Sequence, residues 1–207
     1  SEGDGAQGVD LVTVSVDAVR ASIASARRKL AAAASTATQD AWWHAGAAEQ
    51  LEAQGRFAEA IDAAAGKPPQ AWTILRAGDL GMIIERADDR IRLLQLSDVS
   101  TGQELLAAES LPLFTLTLRH AESKREVQLD ADAGWKSVAL ERLDNQPTYQ
   151  LRWERPADQE MGAVSVSARV EPDGDADAFR WSVAAQVESD QWSIWRVVFP
   201  QVAVADL

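Results

Sequence analysis

The side chains best able to perform acid–base or metal chemistry are few and lie far apart in this sequence. There are two histidines, His44 and His120, and no cysteine. Neither histidine has a partner at metal-ligand spacing, and no Gly-x-Ser-x-Gly motif supplies a nucleophile for a Ser/His/Asp triad. We therefore expect no metal, no cofactor and no complete active site in this chain.

Carboxylates are abundant, and a glycosidase needs two of them facing each other across about 5–10 Å. The clustered acids all fall in predicted turns, where such side chains usually bond their own backbone. Glu171–Asp177 could also hold calcium, but this segment lacks the EF-hand spacing. We interpret the clusters as solvated turns: Asp88-Asp89, Asp130 with Asp132, and Asp173 with Asp175 and Asp177.

Eight tryptophans against one tyrosine are the strongest compositional bias. Exposed indole rings stack on sugars and also mark protein interfaces. The predicted carbohydrate-binding candidates are Trp135, Trp192 and Trp195, with a role for Trp135 as a loop anchor in the core as the alternative. Trp192 and Trp195 lie on opposite faces of one predicted strand, so at most one points into the core. Trp42 and Trp43, beside His44 on a predicted helix, are candidates for binding a protein partner.

The net charge of −12 makes nucleic acid and anionic membranes unfavourable partners. No apolar run reaches the roughly 18–20 residues of a membrane span. The first residues are small and polar and do not resemble a signal peptide. We expect a processed N-terminus or the boundary of a fragment.

The composition changes at Lys67-Pro68-Pro69, where an alanine-rich part gives way to alternating β-branched and aromatic residues. Consecutive prolines cannot continue a helix. The predicted fold class is α+β by segment: a flexible N-terminus (1–10), an α-helical hairpin region (11–67) and an all-β antiparallel sandwich (71–207). The helices are expected at about 15–34, 35–54 and 57–65. The region around Gly55 and Phe57 is also similar to one tetratricopeptide hairpin.

Seven strands are predicted, six of them from alternating apolar and polar residues. Two of them form a hairpin through Ala87-Asp88-Asp89. The last, Trp192–Phe199, is so apolar that we expect it to be buried on both faces. The strands lie near residues 82–86, 91–96, 114–118, 149–154, 164–170 and 179–187, followed by this last strand.

Two segments resemble a known family. The turn that starts at Leu96 and ends at Leu106, "L-x-D-x-x-T-G-x-E-L-L", and the strand Trp192–Pro200, with "I-x-x-V-x-F-P", are similar to the galactose-mutarotase-like β-supersandwich of large bacterial glycoside hydrolases. The resemblance covers residues 71–207. It implies a secreted or periplasmic protein with a catalytic (β/α)8 barrel further along the polypeptide, and it assigns no catalytic residue here.

Three functions follow as hypotheses. The first is a non-catalytic accessory or structural region of a glycoside hydrolase-like protein, whose partner is the downstream catalytic domain. The second is a stand-alone carbohydrate-binding module whose partner is a polysaccharide. The third is a helical protein–protein interaction scaffold acting through Trp42 and Trp43.

Overall fold

The computed structural model describes residues 21, 48, 51–52, 55–65, 69–87, 89–107, 111–132, 134–143, 147–155, 161–173 and 175–205. The chain divides into two compact units, Ser1–Pro68 and Pro69–Leu207. Each is described by itself below.

The first unit contains helix α1, Phe57–Ala64. Helical residues Leu51 and Glu52 precede a turn at Gly55, whose φ of +75° is a conformation that glycine adopts without steric cost. Arg56 donates two hydrogen bonds to the Glu59 carboxylate, 2.8 and 2.7 Å long. The predicted N-terminus 1–10, almost all of the first predicted helix, Trp42, Trp43 and His44 lie outside the described residues. The helical hairpin therefore stays a prediction.

In the described residues of the second unit, ten antiparallel strands form three sheets. The first sheet has the order β1-β2-β3, the second β10-β4-β5, and the four-stranded sheet β6-β7-β8-β9. The strands are β1 Trp72–Ala77, β2 Leu80–Ala87, β3 Arg90–Asp98, β4 Thr115–His120, β5 Glu126–Asp130, β6 Ser137–Arg142, β7 Tyr149–Arg155, β8 Ala163–Asp173, β9 Ala178–Glu188 and β10 Trp192–Val198.

One hydrophobic core joins the three sheets, as expected for a β-sandwich-like fold. Two of its fully buried members, Phe114 and Trp153, pack edge to face with ring centroids 4.9 Å apart. Along β7 and β8 the buried residues alternate with more exposed ones, since successive side chains in a strand point to opposite faces. The predicted antiparallel all-β part is thus confirmed, including the hairpin β2–β3.

The prediction that the last strand is buried on both faces is wrong. Trp195 is 59% exposed and Val197 is 37% exposed. The reason is topological, because β10 is an edge strand that pairs only with β4. An apolar composition indicates a strand, but it does not indicate how many neighbours that strand has.

Candidate functional site

The structure separates the three candidate tryptophans of the β-unit. Trp135 is 6% exposed, donates its Nε1–H to the Asp130 carbonyl at 2.7 Å and meets the ring of Phe114 edge to face. It is therefore a loop anchor in the core, which was the alternative interpretation. Trp192 is 4% exposed and packs edge to face against His120. Only Trp195 presents its ring to solvent, because a buried ring has no free face for a ligand.

A β-bulge places Trp195 on the surface. Ile194 is paired with Leu118 and Arg196 with Thr117, so Trp195 has no partner on β4. Such an extra residue bends the strand and redirects its side chain. Strict alternation alone would not reveal this bulge in the sequence.

Polar side chains surround the indole ring of Trp195. The Arg119 guanidinium lies 4.3 Å from the ring centroid, a cation–π geometry. Arg119 Nε lies 4.0 Å from Glu126 Oε1, and Ser193 donates its hydroxyl to the Arg119 carbonyl at 3.4 Å. Trp195, Arg119, Glu126 and Ser193 form what we call the Trp195 surface. It combines one exposed apolar ring with hydrogen-bonding groups of both kinds.

The turn motif at Asp98 has a structural explanation. The Asp98 carboxylate accepts hydrogen bonds from the Ser100 hydroxyl at 2.6 Å and from the backbone N–H groups of Ser100 and Thr101. Gly102 follows with a φ of +72°. These bonds, led by that from the Ser100 side chain, lower the pKa of Asp98.

Glu104, the glutamate of the same motif, binds the backbone on both sides of the turn. The Glu104 carboxylate accepts from the backbone N–H groups of Leu96 and Leu106, each at 3.0 Å, and from the Ser97 hydroxyl at 3.2 Å. The motif residues thus close their own loop. Their pattern is explained by turn chemistry without a ligand.

Because the pKa of Asp98 is lowered on folding, its carboxylate stabilises the fold above about pH 4, and this contribution is lost as the pH falls through the lower folded pKa. We expect Asp98→Asn to be less stable than the wild type at neutral pH, with the difference shrinking in acid. Urea denaturation across this range measures it. Asp190→Asn is the control, since Asp190 is exposed and makes no hydrogen bond with a described residue. A wild-type advantage that persists at low pH would contradict the assignment.

The other acidic side chains lie at the ends of β5 and β8 and in the turns after them, and several of them bond with other groups of the protein. Asp130 accepts from the Asp132 N–H at 2.9 Å, and Asp177 accepts from the Asp79 N–H at 2.8 Å. Arg180 bonds both Glu171 and Asp173. His120 accepts through Nδ1 from the N–H groups of the turn that follows it. Within the described ranges, no three His, Asp or Glu side chains are grouped so as to hold a metal ion.

Comparison with known proteins gives no match to any family model, curated sequence or solved structure. The class of the second unit therefore rests on its own geometry. It is an antiparallel β-sandwich-like module with one exposed tryptophan. In the part of the chain that the structure describes, no helix is long and apolar enough to cross a membrane.

Proposed function

We propose that this chain is a non-catalytic accessory module of a secreted or periplasmic bacterial carbohydrate-active protein, and that it binds polysaccharide at the Trp195 surface. The observation that carries the proposal is the 59% exposure of Trp195 among polar side chains. An indole ring offers a large apolar face that matches the C–H face of a sugar. Arg119, Glu126 and Ser193 supply donors and acceptors for the hydroxyl groups around it.

The contact between Arg119 and Trp195 supports the same function. Arg119 lies on β4, which is paired on both sides, and its guanidinium already lies over the Trp195 ring. A ligand then has little side-chain motion to restrict when it binds, which favours affinity. The resemblance to the galactose-mutarotase-like supersandwich points to the same carbohydrate context.

Trp195→Ala is expected to weaken polysaccharide binding by at least about tenfold, the loss typical of removing a central aromatic residue. Affinity electrophoresis in gels containing xylan, galactomannan, hydroxyethyl cellulose or soluble starch measures this. The matched control is Val204→Ala, because Val204 is also 59% exposed. Retardation by none of these polysaccharides, or equal retardation of the Trp195→Ala variant, would refute the proposal.

A second candidate function is the support of a neighbouring catalytic domain. It is favoured by apolar side chains that are exposed on the edge strands. Val183 of β9 and Val197 of β10 are 36% and 37% exposed. Val183 is in register with buried Ala168, and Val197 with buried Leu116. Residues in register share a face, so both valines belong to the core side of edge strands. A docked domain would slow hydrogen exchange selectively at β9 and β10 in a longer polypeptide.

A further inference from the structure

β9 is the longest edge strand in the part of the chain that the structure describes. It lies at the end of the four-stranded sheet and pairs with β8 along its whole length, from Ala178 to Glu188, without a register shift. Its backbone makes no hydrogen bond outside this pairing with any described residue. An edge strand of this kind presents a row of unpaired N–H and C=O groups to which another strand can bind.

The middle of this edge is open to solvent on both faces of the sheet. Ser182, Val183 and Ala184 are consecutive residues, and all three are exposed. Successive side chains of a strand point to opposite faces. Both faces are therefore accessible at this point, and a second strand can reach the free edge.

β9 also lacks the features that usually keep edge strands from pairing, which are charged side chains, prolines, bulges and short length. The other described edge strands have at least one of them. β3 and β10 each contain a bulge, and β1, β5 and β6 have six residues or fewer. In β9, the segment from Trp181 to Val187 contains no charged residue and no proline. β9 is thus the edge best suited to pair with another chain.

The backbone restricts the registers in which two copies of β9 can pair. In an antiparallel ladder, every second residue turns its N–H and C=O groups towards the same neighbour. Residues that turn these groups outward must therefore face residues of the same set in the second copy. Odd-numbered residues then face odd-numbered residues, and the core-side residues of both copies stay on one face of the sheet.

The charges of β9 select one of these registers. Arg180 and Glu188 are the charged residues of the strand, so β9 has no formal net charge in a chain whose net charge is −12. A two-fold axis at Ala184 places Arg180 opposite Glu188 of the second copy, at both ends of the interface. Opposite charges in cross-strand positions stabilise a sheet, whereas like charges destabilise it.

The same register brings apolar side chains together on the core side. Trp181 faces Val187 of the second copy, and Val183 faces Ala185. Val183 is 36% exposed in the single chain. Pairing would cover part of this surface, and apolar cross-strand pairs add to the stability of a sheet.

Both charged side chains can take part in such a pair. The Arg180 side chain is 69% exposed and bonds Glu171 at 3.1 Å and Asp173 at 2.9 Å, both on β8. A guanidinium has five N–H donors, so these two bonds leave donors for a further carboxylate. Glu188 is exposed and makes no ion pair with a described residue.

We infer that β9 is an interaction surface for a second copy of this chain. The two copies pair antiparallel through a two-fold axis at Ala184 and form one continuous sheet with four strands from each copy. The pairing adds about eight to ten backbone hydrogen bonds. Because both copies use the same edge, the assembly closes at two chains. It is independent of polysaccharide binding, since Trp195 lies on a different sheet.

Sedimentation equilibrium of the intact chain, from low micromolar to submillimolar concentration, tests this inference. The mass is expected to rise from that of one chain towards twice that value. Ala184→Lys would place two ammonium groups opposite each other at the axis and should weaken dimerisation by at least about tenfold. Ala184→Thr keeps this position uncharged, and Val204→Lys adds the same charge at an exposed residue outside β9. Both controls should dimerise like the wild type.

A charge exchange tests the register. Arg180→Glu and Glu188→Arg should each weaken the dimer, because each leaves like charges opposite one another. Combining the two substitutions restores opposite charges and should recover dimerisation. A merely local effect on β9 would not be reversed in this way. Hydrogen exchange of the wild type should also slow with concentration at alternate amides of β9, and not at β10.

Four results would overturn the inference. They are the mass of a single chain at every concentration, a dimer of equal affinity in Ala184→Lys, assemblies larger than two chains, and no recovery in the combined variant. Assemblies larger than two chains would indicate a head-to-tail interface instead of a two-fold one. Far-ultraviolet circular dichroism of each variant verifies that a loss of dimerisation is not a loss of folding.

Discussion

Replacing Trp153 with alanine is expected to lower the free energy of unfolding of the β-unit by about 3–5 kcal/mol. Trp153 is fully buried and packs edge to face on Phe114, which is also fully buried. Truncation would leave a large cavity where the sheets meet, and a rigid sandwich core can refill it only partly. Urea denaturation followed by far-ultraviolet circular dichroism measures the change, provided that the transition is two-state.

Two control variants test the physical origin of this loss. Trp153→Phe keeps most of the ring volume and removes the indole N–H, which is buried and has no hydrogen-bond partner among the described residues. Its cost should therefore be clearly smaller than that of alanine. Trp195→Ala, at an exposed position, should change stability by no more than about 0.5 kcal/mol. Equal losses for Trp153→Ala and Trp195→Ala would contradict the described core.

Gly162→Ala is expected to lower the free energy of unfolding by about 3 kcal/mol, the upper end of the usual cost of overpacking. The new methyl carbon would lie 1.7 Å from the Glu188 oxygen and 2.5 Å from its carbonyl carbon. Both are backbone atoms, so no side-chain rotation relieves the clash. The strands must separate, which breaks pairing at the ends of β8 and β9. Chemical denaturation and hydrogen exchange of the Glu188 and Ser189 amides report the two effects.

Gly102→Ala is the matched control for that substitution. Gly102 has a φ of +72°, and a Cβ atom there would meet nothing within 4 Å. Alanine at this position costs only the conformational strain of a left-handed backbone, about 1–2 kcal/mol. A Gly162→Ala variant no less stable than Gly102→Ala would show that β8 and β9 do not approach so closely.

The sequence predicts the strands whose two faces differ strongly. From Tyr149 to Glu154 in β7 and from Val164 to Val170 in β8, apolar and polar residues alternate, and the burial pattern largely follows that alternation. β1, β5 and β6 were not predicted. β5 has five residues, and only Leu129 among them is buried. A strand this short and polar is stabilised by its neighbour β4, and a neighbour is not visible in local periodicity.

The sequence likewise predicted one part of the candidate site and missed another. The abundance of tryptophan indicated a possible ligand surface, and Trp195 was among the residues chosen from it. The bulge that exposes Trp195 was not predicted, because only the pairing of β10 with β4 reveals it.

By itself, the sequence determined the antiparallel strands with clear alternation, the presence of a turn after Leu96, and the scarcity of histidine and cysteine chemistry. These depend on side-chain period, turn preference and composition, which are local properties. The tertiary structure decided that Trp135 and Trp192 are buried and that Trp195 is exposed. Exposure depends on which strand lies at a sheet edge, where a bulge falls and which backbones touch. Those are relations between distant segments, and they exist only once the chain has folded.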